Sequence, residues 1–160
     1  MPRTEKMVAL AKEYCRLIEQ AVHDCPPTDW LDAVAALLPH INAAVTALDV
    51  DAQVGVAVKA DMEGRFELYS RLRDLLGEMD AYWLEFDLSG DDDCRSGSLA
   101  DDLTDIYCEL KSGLELMVGL EQDARGVRQI VATWRETYRD HWGRHILDAQ
   151  RHLMELSVLG

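Results

Sequence analysis

Apolar residues return every three or four positions along most of this chain, and prolines, glycines and short polar side chains cut the pattern into segments. Residues 4 to 22 carry Met7, Leu10, Tyr14, Leu17, Ile18 and Ala21 at helical spacing, with Glu5, Lys12, Glu13 and Arg16 on other faces, which predicts an amphipathic helix. The Pro26-Pro27 pair stops it. Thr28 then offers an N-cap for a second helix with the stripe Trp30, Val34, Leu38, Ile41, Val45 and Leu48. Pro39 lies inside that stripe. Because it lacks a backbone donor and crowds the carbonyl one turn back, a kink or two short helices meeting at Leu38 is expected. Asp61 can cap a third helix bearing Met62, Phe66, Tyr69, Leu72 and Leu76, and Gly77 stands where a left-handed C-terminal residue is wanted.

Ser98 and Asp101 resemble a capping box that opens a fourth helix, striped Leu99, Leu103, Ile106, Leu110, Leu114 and Met117 and ending near Gly119. Asp123 can cap a long fifth helix holding Val127, Val131, Trp134, Tyr138, Trp142, His145, Ala149 and Leu156, with Gly143 placed to bend it. Between the third and fourth helices, Tyr82 to Leu88 is an apolar strap in which Glu85 and Asp87 alternate with Leu84, Phe86 and Leu88, so an extended segment across the bundle is expected. Residues 89 to 98, SGDDDCRSGS, read as an exposed, mobile, acidic loop. Val54, Val56 and Val58 alternate within residues 49 to 60, but that run finds no strand-like partner and reads as a loop. The pattern predicts an all-α fold: a single domain over residues 1 to 160, a bundle of about five helices with a long C-terminal one.

A chain of 160 residues buries roughly 70% of the surface its unfolded form exposes, enough for one core. Thirty acidic residues against 16 lysines and arginines give a net charge of -14, which opposes nucleic acid and anionic lipid and suits a protein partner instead. Cys15, Cys25, Cys94 and Cys108 show no metal-like spacing and are expected to be reduced thiols. The N-terminus lacks the apolar block of a signal peptide, and no run approaches the ~20 apolar residues of a membrane span, so a cytoplasmic location is expected.

The segment Ser98 to Leu110, SLADDLTDIYCEL, and the segment from Trp134, WRETYRDHWGRHILDAQRHLMEL, resemble the bacterial domain of unknown function family 5063. EYCRLIEQ at Glu13 and LLPH at Leu37 are similar to that family's opening helices. The resemblance implies a bacterial helical protein with no assigned activity, and it brings no catalytic residues with it.

On a helical wheel His141, His145, Asp148 and His152 fall within about a quarter turn, beside or on the apolar face. His141 and His145, four apart, are spaced to give two imidazoles to one divalent ion. Asp102 and Glu109 flank the fourth helix's core stripe, with Asp105 nearer the solvent side, so antiparallel packing would bring carboxylates to imidazoles. The ordinary explanation is ring-to-carboxylate hydrogen bonding at a core edge, together with acids placed by the helix macrodipole. Asp91 to Asp93 miss the register of a calcium loop. Arg128, Arg135 and Arg139 form a basic stripe expected to pair with the fourth helix's acids, and Trp83, Phe86, Arg135 and Arg139 are the candidate partner-binding residues. The sequence holds no GxSxG, P-loop, GxGxxG or HExxH motif. These features favour a non-enzymatic protein-interaction module without a cofactor. The alternative is a divalent-metal-binding bundle or metal-dependent enzyme using His141, His145, Asp102 and Glu109, with Asp105 and Asp148 as further ligands.

Overall fold

Amphipathic periodicity and local capping produce the helices where the pattern places them. In the computed structural model, which describes residues 1–21, 27–49, 61–84 and 95–159, these are α1 (Arg3–Ala21), α2 (Pro27–Thr46), α3 (Met62–Leu76), α4 (Leu99–Met117), α5 (Ala124–Thr137) and α6 (Gly143–Leu159). A π-turn, Tyr138–Trp142, joins α5 to α6, so the long C-terminal helix is one continuous helical path with one wide turn inside it. Asp61 and Asp123 cap α3 and α5 by accepting from the backbone of Gly64 and Gly126, each at 3.0 Å. Gly77 ends α3 with a φ of 54°.

The described part of the strap is extended as expected, whereas the described end of the acidic loop is a strand. Ala81–Leu84 is β1, and Arg95–Ser98, expected to be loop, is β2, paired antiparallel with it in the register Ala81 to Ser98. The glycine and serines of β2 concealed a strand whose partner supplies the apolar side chains. The remainder of the strap and loop, with Phe86 and Asp91 to Asp93, lies outside the described residues, as do residues 50 to 60.

The core is formed by the predicted stripes: Met7, Tyr14 and Ile18 from α1, Val34, Leu38 and Ile41 from α2, and Leu99, Leu103, Ile106 and Leu110 from α4 are all wholly buried. Pro39 does not split α2, which runs unbroken, because the stripe on both sides of the proline is locked into the core. The α3 stripe is shorter than predicted. Leu72 and Leu76 are buried, but Met62 and Phe66 stand 69% and 66% exposed. No described helix is long and apolar enough to cross a membrane.

α4 is the hub, packing against α1, α3, α5 and α6. The Tyr14 hydroxyl donates to the Leu103 carbonyl at 2.7 Å, and Trp134 Nε1 donates to the Glu109 carbonyl at 3.0 Å. That second contact needs Gly113, because a Cβ there would stand 2.4 Å from the Trp134 indole nitrogen. Gly113→Ala should therefore destabilise the fold by about 1 to 3 kcal/mol despite alanine's better helix propensity, measured by chemical denaturation.

Candidate functional site

The first turn of α4 is fixed before its acids can be placed. Asp80, buried just after a 3₁₀ turn at Gly77–Met79, accepts from the Ala100 backbone at 2.7 Å and from the Ser98 hydroxyl at 2.9 Å, while Ser98 accepts from the Asp101 backbone at 3.2 Å. Asp101, Asp102 and Asp105 follow within two turns. Acids favour that end of a helix, yet Asp102 is 3% and Asp105 8% exposed, so they need partners.

α6 brings those partners by packing antiparallel to α4. His145 Nδ1 lies 2.7 Å from Asp102 Oδ1, and its Nε2 lies 2.9 Å from Asp105 Oδ2. His141 Nε2 points to the same Asp105 oxygen at 3.7 Å, and its Nδ1 faces Glu109 at 3.5 Å. The two rings stand 5.0 Å apart, edge to face. Thus both Nε2 atoms converge on one carboxylate oxygen, and each Nδ1 is backed by a second carboxylate. Tyr82, from β1, donates its hydroxyl to the other Asp102 oxygen. Arg65, from α3, holds the other Asp105 oxygen through Nε and reaches Asp101 through Nη2, both at 2.7 Å.

Burial alone would lower the basicity of the His145 imidazole, but its hydrogen bonds to Asp102 and Asp105 outweigh that and push it up to about 10. At neutral pH the ring is an imidazolium donating to both carboxylates. Burial drives the Asp102 carboxyl above its usual range, and the bonds from His145 and Tyr82 only partly offset it. Burial acts in the same direction on Asp105, but the His145 and Arg65 hydrogen bonds prevail and hold it below that range.

The cluster opens on one side into a cavity of about 680 Å³ between α3 and α4, lined among others by Arg65, Asp105, Cys108, Glu109, Lys111 and His141. His145, Asp105 and His141 offer ligand atoms that all lie within 4.8 Å of one another, as do Asp101, Asp102 and His145. Burial raises the Cys108 thiol to about 11 and the Cys15 thiol to about 12, so neither is an activated nucleophile.

His141, His145, Asp102 and Glu109 are therefore brought together as their spacing predicts. Asp105, expected nearer solvent, is instead the buried point on which both histidines converge. Asp148 lies apart, half-buried beside a small crevice lined by Tyr82 and His152. His152 meets the Met79 carbonyl at 2.6 Å and stacks 4.7 Å from the Tyr82 ring. Trp83 is 71% exposed. Among the described residues, neither Arg135 nor Arg139 forms an ion pair with α4. Arg135 is half-buried with its guanidinium 5.8 Å from the Tyr138 ring centre, and Arg139 is exposed. Sequence reasoning missed Arg65, Asp80 and the role of Tyr82, whose partners lie 18 to 40 residues away.

The family model described as Domain of unknown function (DUF5063) matches residues 2–158. The fold is similar to the crystal structure of a Bacteroides fragilis protein solved by the Northeast Structural Genomics Consortium. The TM-score is 0.75, with 18% sequence identity, over 97% of this chain and 92% of that one. At that identity the likeness shows the fold alone. None of the curated proteins matches the chain.

The elevated His145 makes folding stability depend on pH. Its contribution is fully present below the unfolded histidine value of about 6.5 and is lost as pH rises from there through about 10. Denaturation midpoints taken from pH 6 to 10 should fall over that window, and His145→Gln should flatten the profile.

Proposed function

Since the chain belongs to the DUF5063 family, whose description assigns no function, we propose from the chemistry of its site that it binds one divalent transition-metal ion through His141, His145 and Asp105. The observation that carries this reading is the convergence of both Nε2 atoms on Asp105 Oδ2, at 2.9 and 3.7 Å. Ligand atoms about 2.1 Å from a tetrahedral ion stand roughly 3.4 Å apart, so the spacing suits a shared ion. Two histidines and one carboxylate on one face form a donor set used for iron(II), and imidazoles also suit zinc and related ions. Asp102 and Glu109 lie where outer carboxylates fix the orientation of metal-binding histidines, by accepting from Nδ1–H. Asp105 and His141 also line the cavity, from which water or a small ligand can reach a bound ion.

In the metal-free protein a proton occupies His145, and an entering ion must displace it. Binding therefore releases protons and strengthens as pH rises between about 6 and 9. Calorimetric titration of protein without a histidine tag should show stoichiometric uptake of zinc or cobalt. His141→Ala and Asp105→Asn should abolish it, and Asp102→Asn should weaken it by about 10- to 100-fold. Failure of the intact protein to take up any of manganese, iron(II), cobalt or zinc would remove this reading.

A second reading, docking of a basic protein partner, is favoured by the net charge of -14 and by Trp83 standing 71% exposed. It predicts a salt-sensitive complex in native mass measurements of cell extract, lost on Trp83→Ala with metal uptake unchanged.

A further inference from the structure

The π-turn between α5 and α6 sits next to the site and contains His141. Such turns hold one residue more than an α-turn, so each rotates everything beyond it by about 100° relative to an unbroken helix. That rotation decides which residues face the core. From the buried Trp134, an unbroken α-helix would carry His141 and His145 to within about 20° of the Trp134 face and would leave Trp142 about 80° away from it. The structure has the reverse arrangement. Trp142, Ile146 and Ala149 are wholly buried below Trp134, and His145 lies at the edge facing the acids of α4.

The turn is built by specific groups. The Gly143 backbone donates to the Tyr138 carbonyl, five residues back. Trp142 Nε1 donates to the Trp134 carbonyl at 3.0 Å, which it shares with the Tyr138 backbone N–H, and to Thr137 Oγ1 at 3.1 Å, so the indole ties the widened turn to the last turn of α5. Tyr138 packs edge to face on Trp142 and donates from its hydroxyl to Asn42 at 2.5 Å, anchoring the turn to α2. Gly143 is required sterically, because a Cβ there would stand 2.5 Å from the Tyr138 backbone oxygen and 3.2 Å from its ring.

We infer that this π-turn, held by Gly143 and Trp142, is the device that turns the histidine stripe out of the apolar core and onto the carboxylates of α4, making Gly143 and Trp142 positioning residues of the site. The phase argument stands on packing alone, and its significance for metal uptake rests on the reading above.

The test combines proton NMR with cobalt(II) absorption on the full chain. In the native protein the proton between His145 Nδ1 and Asp102, 2.7 Å apart, should give a low-field resonance, and a helix without the wide turn would lose it by carrying His145 back toward the core face. Gly143→Ala should remove that resonance and change the cobalt spectrum. Trp142→Phe, which keeps an aromatic ring but loses the N–H, should weaken cobalt binding by roughly three- to tenfold. Gly77→Ala is the control: it strains a positive φ at the end of α3, lowers stability, and should leave resonance and spectrum unchanged. An unaltered resonance and spectrum in Gly143→Ala would overturn the inference. If that variant does not fold, native-like cobalt affinity in Trp142→Phe overturns it instead. If the native protein takes up no cobalt, the resonance decides the turn by itself.

Discussion

A carboxylate is buried at a heavy cost unless hydrogen-bond donors or positive charge are brought to it, and α4 buries two in its first two turns. Asp102 and Asp105 are nearly inaccessible, so the helices carrying Arg65 and His145 must dock where those side chains can reach. This constraint fixes the level at which α3 and α6 lie against α4. Apolar stripes alone tolerate sliding by a turn, whereas an imidazolium that touches a different carboxylate through each nitrogen does not. The Tyr82 hydroxyl extends the same logic to the strand pair, which Asp80 already ties to the start of α4.

Much of this was legible in the sequence because helical burial is periodic and caps are local. Asp61, Ser98, Asp123 and Gly77 could be read directly, since each acts on residues within one turn of itself. What escaped acts across distance or against periodicity. β2 has no apolar alternation of its own and is a strand only because β1 lies beside it. Arg65 sits between Gly64 and Phe66 in the exposed first turns of α3 and gains meaning from acids 36 and 40 residues on. The π-turn shifts the register of everything after it, so a straight wheel set the histidines on or beside the core face. Asp105 was misplaced for a related reason: the wheel gives an angle on α4 but not how far α3 and α6 wrap around that side.

The site combines features that stability alone does not demand. An edge histidine needs one hydrogen-bond partner, yet His145 has two carboxylates and His141 is aimed at one of the same oxygens. One Arg and one imidazolium leave the surrounding acids incompletely balanced in a chain that is already strongly acidic. A divalent cation would relieve that imbalance at the point where the ring nitrogens meet, and would do so beside an open cavity.

α3 is joined to the rest unevenly. Its fully buried side chains, Leu72 and Leu76, lie at its C-terminal end, with Leu68 and Tyr69 partly buried before them, while the first turns, with Met62, Arg65 and Phe66, meet α4 through charge. Among the described residues, hydrophobic burial thus acts as a hinge pin at one end and ionic contact as a latch at the other. Added salt screens the latch and spares the pin, so the two ends of α3 differ in how ionic strength acts on their hold, and the end beside the cavity is the one that salt weakens.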